Sequence, residues 1–160
     1  MLKRSLVILV VIIAIPAFAK NGDTPEQIIR QKHVKLMEKI KSIEATTLKS
    51  WIENKKKFIL LDVRETNELN TFKITTENRM EISRGVVDFR FHQMVPDKEA
   101  LVVVACSHGW RSAAVTDLLS GYGYKNIYNL KDGIFAWINA GYRVANFYGT
   151  FEIKDFKSTL

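Results

Sequence analysis

The chain of 160 residues contains a single cysteine, Cys106. No disulfide can form within it, so stability must come from a packed core. Histidine is also scarce, with three in the chain: His33 and His92 have no neighbours at metal-ligand spacing, and with one cysteine neither a metal nor a cofactor is expected. Low-complexity tracts and internal repeats are absent, which excludes repeat architectures and leaves one globular domain. A hydrophobic run long enough for a comfortable membrane span, about 20 residues, is also missing. The longest, Ser5 to Ile15, follows the basic head Met1-Leu2-Lys3-Arg4 and precedes the small residues Pro16-Ala17-Phe18-Ala19.

That layout is that of a secretory signal peptide. Residues 1–19 are expected to be a leader cleaved after Ala19; the competing reading is a retained anchor. No cysteine near the cleavage site is available to carry a lipid. The expected location is therefore exported, periplasmic, with no stable membrane span after cleavage. Loss of Lys3 and Arg4 would lower the formal net charge from +7 to +5. The basic excess is spread along the chain, and its densest run, Lys55-Lys56-Lys57, falls in an expected turn. Such a run reads as a solvated loop, and no nucleic-acid partner is expected. A basic surface still draws in small anionic substrates.

Strand and helix signals alternate along the chain. Thr24-Pro25-Glu26 is a helix start, followed by an imperfect apolar stripe at Ile28, Ile29, Val34, Leu36, Met37 and Ile40. Ile43 to Ala45 is a short strand candidate, and Thr46 or Thr47 caps a helix running to about Asn54. Phe58 to Val63 and Leu101 to Ala105 are continuous apolar runs of strand length, the pattern of strands buried on both faces. Weaker signals place a short helix over 66–72, a third strand near Arg79 to Ile82 and a helix from Arg84 to Phe91. A helix from Arg111 ends around Gly121-Tyr122-Gly123; Asn126 to Leu130 reads as a strand and Gly133 to Asn139 as a helix stopped by Gly141. The order predicts an α/β fold, a parallel sheet with helices on both faces. The organisation is read as a leader (1–19), an N-terminal helical extension (20–41), one domain (42–145) and a tail (146–160) whose aromatic content implies that it packs on that domain.

Cys106-Ser107-His108-Gly109-Trp110-Arg111 lies between the strand Leu101–Ala105 and the helix beginning at Arg111. Taken alone, a lone cysteine is more often a small buried hydrophobe. Its setting argues otherwise. Ligands of parallel sheets bind beyond the carboxyl ends of strands, and backbone N–H groups at a helix N-terminus stabilise an anion. The thiolate is the nucleophilic form of cysteine.

Three segments together resemble the rhodanese family of sulfurtransferases, over about Ile43 to Val144. They are Leu61-Asp62-Val63-Arg64-Glu65-Thr66-Asn67-Glu68, the Cys106-to-Ser112 loop, and Tyr128-Asn129-Leu130-Lys131-Asp132-Gly133-Ile134-Phe135-Ala136-Trp137. Two departures stand out. Ile74-Thr75-Thr76-Glu77 replaces the family's Ile-Pro-Gly-Ala-like turn, and Asp132 replaces the usual glycine before Gly133. The resemblance implies a three-layer fold with a central parallel sheet of about five strands. It also implies a double displacement through a Cys106 persulfide, which takes sulfane sulfur from a donor such as thiosulfate. The acceptor would be cyanide, a thiol or a protein.

Within that chemistry, Ser107, His108, Gly109, Trp110 and Arg111 would form the substrate-binding cradle, with Gly109 supplying the curl. Arg111 either binds the anionic donor or fixes the loop. His108 either steers an acceptor or faces solvent, and Trp110 either lines the pocket mouth or covers the core edge. Asp62 and Arg64 would support the loop as an ion pair, with Glu68 as a further partner; Trp51 and Trp137 read as core aromatics. Cell-cycle phosphatases of the same general fold have a loop one residue longer, so the six-residue form implies sulfur over a phosphoryl or arsenyl group. The alternative function is a module without turnover, serving as a sulfur carrier or a protein-interaction domain.

Overall fold

The computed structural model describes residues 24–157. The expected leader, 1–19, and the last three residues of the tail lie outside the described residues. Five strands form one wholly parallel sheet: β1 (Ser42–Ile43), β2 (Ile59–Asp62), β3 (Arg79–Glu81), β4 (Val102–Ala105) and β5 (Ile127–Leu130). Their spatial order is β1-β5-β4-β2-β3, which puts β4 in the centre. The helices are α1 (Pro25–Lys39), α2 (Ala45–Glu53), α3 (Thr66–Leu69), α4 (Val87–Met94), α5 (Trp110–Gly121) and α6 (Gly133–Asn139).

The two apolar runs are continuous because the sheet is covered on both sides. Leu60, Val103 and Ala105 enter a cluster with Leu48 of α2 and Ile134, Trp137 and Ile138 of α6. Leu61, Val63, Val102 and Val104 point the other way and pack with Val87 and Phe91 of α4 and Val115 and Leu119 of α5. Alternate residues of one strand thus fill opposite cores. Each fully buried Leu or Phe contributes about 2 kcal/mol of transfer free energy.

Several local expectations change. The span Arg84–Phe91 divides into a 3-10 turn (Arg84–Val86) and α4. Helix α2 begins at Ala45, and its boundary residue is Glu44, not Thr46 or Thr47. Ala45 and Leu48 are both buried, so the helix starts early enough to place both on the core face. Thr24 does cap α1, in a reciprocal box with Gln27. Yet α1 buries none of its residues, and Ile28, Ile29 and Val34 stand exposed. It lies along α5, tied by a 2.7 Å Lys39–Asp117 ion pair.

The tail contains an antiparallel hairpin, β6 (Val144–Asn146) with β7 (Gly149–Phe151), which the sequence reading did not foresee. Lys73 and Ala145 exchange two 2.8 Å backbone hydrogen bonds and hold the hairpin to the domain. Phe151, Ile153 and Phe156 pack on the α2/α6 side of the core. Phe147 and Tyr148 occupy the hairpin tip and are 96% and 92% exposed. Among the described residues, no helix is long and apolar enough to cross a membrane.

Candidate active site

The site forms where the carboxyl ends of β2, β4 and β5 converge. Asp62, last in β2, is paired in register with Ala105, which precedes Cys106 on the central strand. Cys106 is only 1% exposed. Its sulfur accepts two hydrogen bonds from Ser112, one from the backbone N–H at 3.4 Å and one from the hydroxyl at 3.3 Å. Ser112 is in the first turn of α5, so one of the helix's otherwise unpaired N–H groups is spent on sulfur.

Two backbone approaches shape the loop. The first-turn amides of α6 donate to it: Ile134 N–H to the Cys106 carbonyl at 2.8 Å and Phe135 N–H to the Ser107 carbonyl at 3.1 Å. In a trans peptide the C=O and the following N–H point opposite ways. The N–H groups of Ser107 and His108 are therefore turned away from α6. This closeness requires Gly133, with φ +64°: a Cβ there would lie 2.3 Å from the Cys106 carbonyl oxygen and 2.5 Å from that of Ser107. Gly109, at φ +83°, would bring a Cβ to 2.8 Å from the Asp132 nitrogen. Asp132 itself is left-handed at φ 54°, a conformation that Asp tolerates better than most residues. The position where the family usually has glycine thus keeps a glycine-like backbone.

The polar groups divide into two networks. In the first, Glu68 accepts from both terminal nitrogens of Arg111, each at 2.6 Å, and from the Ser107 hydroxyl at 2.6 Å. Hydrogen bonding from Arg111 is the main cause that holds the Glu68 carboxyl down at about 2, and the same bond raises Arg111. Arg111 also lies within electrostatic reach of Cys106. In the second, Asp62 and Arg64, each 1% exposed, form a forked pair with a shortest N···O distance of 2.9 Å. Arg79 joins Asp62 at 2.9 Å. Arg64 also donates to the backbone carbonyls of Phe72 at 2.8 Å and Glu68 at 3.4 Å, which pins the segment carrying Glu68. Glu68 was expected beside Asp62 and Arg64; its carboxylate instead serves Arg111 and Ser107, and only its carbonyl meets Arg64.

His108 sets its ring edge-on to Phe135 at 4.4 Å, and desolvation, then the charge of Arg111, pushes it below the ordinary histidine value. Trp110 is half-exposed at 49% and stacks on His33 of α1, with ring centroids 4.3 Å apart. The sequence reading considered His33 only as a metal ligand; the stack escaped it because it joins elements far apart in the chain. It also passed over Ser112, whose only signal was a hydroxyl residue in the turn following the loop.

Residues 44–140 match the rhodanese-like domain family. The chain is 32% identical over 98 residues to the Bacillus subtilis (strain 168) sulfurtransferase YtwF, covering 61% of this chain and 90% of that one. It is 33% identical over 91 residues to a mitochondrial thiosulfate sulfurtransferase of Schizosaccharomyces pombe, covering 51% of this chain and 64% of that one. Both names carry the qualifier "putative". A rhodanese-related protein from Thermoplasma volcanium superimposes with a TM-score of 0.56 at 34% identity, over 66% of this chain and 97% of its own. A five-stranded parallel sheet with helices on both faces and a cysteine loop at the end of its central strand accords with those matches, and the chain belongs to the rhodanese-like domain family.

Proposed function

We propose that this protein is a thiosulfate sulfurtransferase acting through a Cys106 persulfide. The observation that carries the reading is the double hydrogen bond from Ser112 to the Cys106 sulfur at the N-terminus of α5, which fixes the sulfur at the strand end with two donors aimed at it. The thiolate attacks the outer sulfur of thiosulfate. The S–S bond of the donor breaks, and sulfite leaves with the bonding pair. A nucleophilic acceptor, cyanide or a thiol, then attacks the terminal sulfur and Cys106 departs as thiolate. The loop N–H groups of Ser107 through Arg111 supply fixed donors for the persulfide anion. Arg111 acts mainly by holding the loop through Glu68.

A second reading, a carrier that releases sulfur only to a protein acceptor, is favoured by the burial of Cys106. Incubation with thiosulfate, followed by intact-mass and sulfite measurement, tests the first. The expected result is a gain of one sulfur with matching sulfite, lost in Cys106→Ser. Unchanged mass without sulfite overturns it. Loading without turnover on cyanide points to the carrier. We further propose export to the periplasm with cleavage after Ala19; N-terminal sequencing of the mature protein tests this, and an intact Met1 in the exported fraction contradicts it.

A further inference from the structure

An open cleft of about 560 Å3 separates the start of α4 and its preceding 3-10 turn from the first turns of α5. Val87 and Val115 line it and belong to the packed cluster that contains Cys106. Its volume is in the range of organic small-molecule sites, and it offers far more room than thiosulfate needs. Four charged residues face it: Glu65, Arg84, Asp88 and Arg111. Two are engaged elsewhere, Arg111 by Glu68 and Glu65 by the Ser83 hydroxyl, 2.7 Å from each carboxylate oxygen.

Arg84 and Asp88 remain. They carry opposite charges four residues apart, a spacing at which Arg and Asp commonly join. Among the described ion pairs and side-chain hydrogen bonds, neither side chain has a partner, and they do not pair with each other. One cleft therefore presents a separated cation and anion beside the loop that carries Cys106. We propose that it is the acceptor site and that the acceptor is an amino-acid thiol, its α-carboxylate on Arg84 and its α-ammonium on Asp88. This rests on the sulfurtransferase reading. The acceptor thiolate attacks the outer sulfur of the Cys106 persulfide, a new S–S bond forms, and the old one breaks. Cys106 leaves as thiolate, and the transferred sulfur departs with the acceptor as its persulfide anion.

The test loads the full protein with thiosulfate and follows loss of the extra sulfur by intact mass. The acceptors are L-cysteine, 3-mercaptopropionate, 2-aminoethanethiol and 2-mercaptoethanol. Each variant is compared with wild type on the same thiol, so differences in thiol acidity cancel. Arg84→Gln is expected to slow the two carboxylate-bearing thiols about tenfold, and Asp88→Asn the two ammonium-bearing thiols about tenfold, the loss of one charge-assisted hydrogen bond in each case. Rates with 2-mercaptoethanol should stay unchanged, as should the melting temperatures. Equal slowing of all four thiols, or none, overturns the proposal. If wild type never gains sulfur, the sulfurtransferase reading fails instead. The cleft is then tested by S-methyl-L-cysteine binding to the unloaded protein, which Arg84→Gln must weaken; no weakening overturns the site.

Discussion

Glu68 and Arg111 stand 43 positions apart and meet in a two-bond fork, each N···O distance 2.6 Å, with the Ser107 hydroxyl as a third donor to the same carboxylate. The fork joins the segment after β2 to the loop after β4. A guanidinium satisfied in this way is a poor independent binder of a second anion. Its geometry is that of a brace between two loops.

Glu68→Gln should therefore slow persulfide formation on Cys106 by roughly tenfold to a hundredfold, since hydrogen bonds to charged groups contribute about 1.5–3 kcal/mol. Arg111→Lys should give a loss of similar size, because an ammonium cannot reproduce the planar fork. Single-turnover loading with thiosulfate, read as sulfite release, checks both. A full rate in Glu68→Gln would remove the fork from the mechanism.

The same pair sets an acid limit on stability. The Glu68 carboxyl sits at about 2 in the folded protein against an ordinary 4.5, held down chiefly by Arg111. A depressed carboxylate stabilises the fold above its unfolded value, and that contribution is lost as pH falls through the folded one. Melting temperature should thus fall more steeply from about pH 4.5 to about pH 2 in wild type than in Glu68→Gln. Parallel curves for the two proteins would contradict this.

Gly133→Ala should destabilise by more than about 2 kcal/mol, through left-handed strain and the clash with two loop carbonyls. Gly121→Ala is the counterpart: nothing lies within 4 Å of its added Cβ, and it should be neutral or stabilising by up to about 1 kcal/mol. Thermal unfolding of both variants measures the contrast. Equal melting temperatures would mean that the α6 turn is free to move off the loop.

Asp62→Asn leaves the buried Arg64 guanidinium without its carboxylate and should cost about 3 kcal/mol or more. Urea unfolding reads this directly. Persulfide loading of whatever variant protein remains folded should also drop, since Arg64 anchors the segment bearing Glu68.

The sheet was legible from local pattern. Phe58–Val63 and Leu101–Ala105 read as buried strands because a parallel sheet covered on both faces needs apolar residues at every position, and their side chains do alternate between two cores. Helix starts were less legible. Thr24 reads correctly because its cap is a local bond to Gln27, whereas Thr46 and Thr47 lose to Ala45, whose burial is decided by the facing sheet. Which of the tail's aromatics turn outward was not legible: Phe147 and Tyr148 fall at the tip of a hairpin, and a hairpin tip points outward whatever it carries.

The sequence by itself determined the alternation of strands and helices, the single thiol and its place after a buried strand, since these follow from periodicity and order along the chain. Tertiary structure alone decided which charges meet. Arg111 takes Glu68, Asp62 takes Arg64 and Arg79, His33 covers Trp110, and Arg84 and Asp88 stay apart. Ion pairs and ring stacks depend on distances of a few ångströms between segments far apart in the chain, and local propensity holds no information about them.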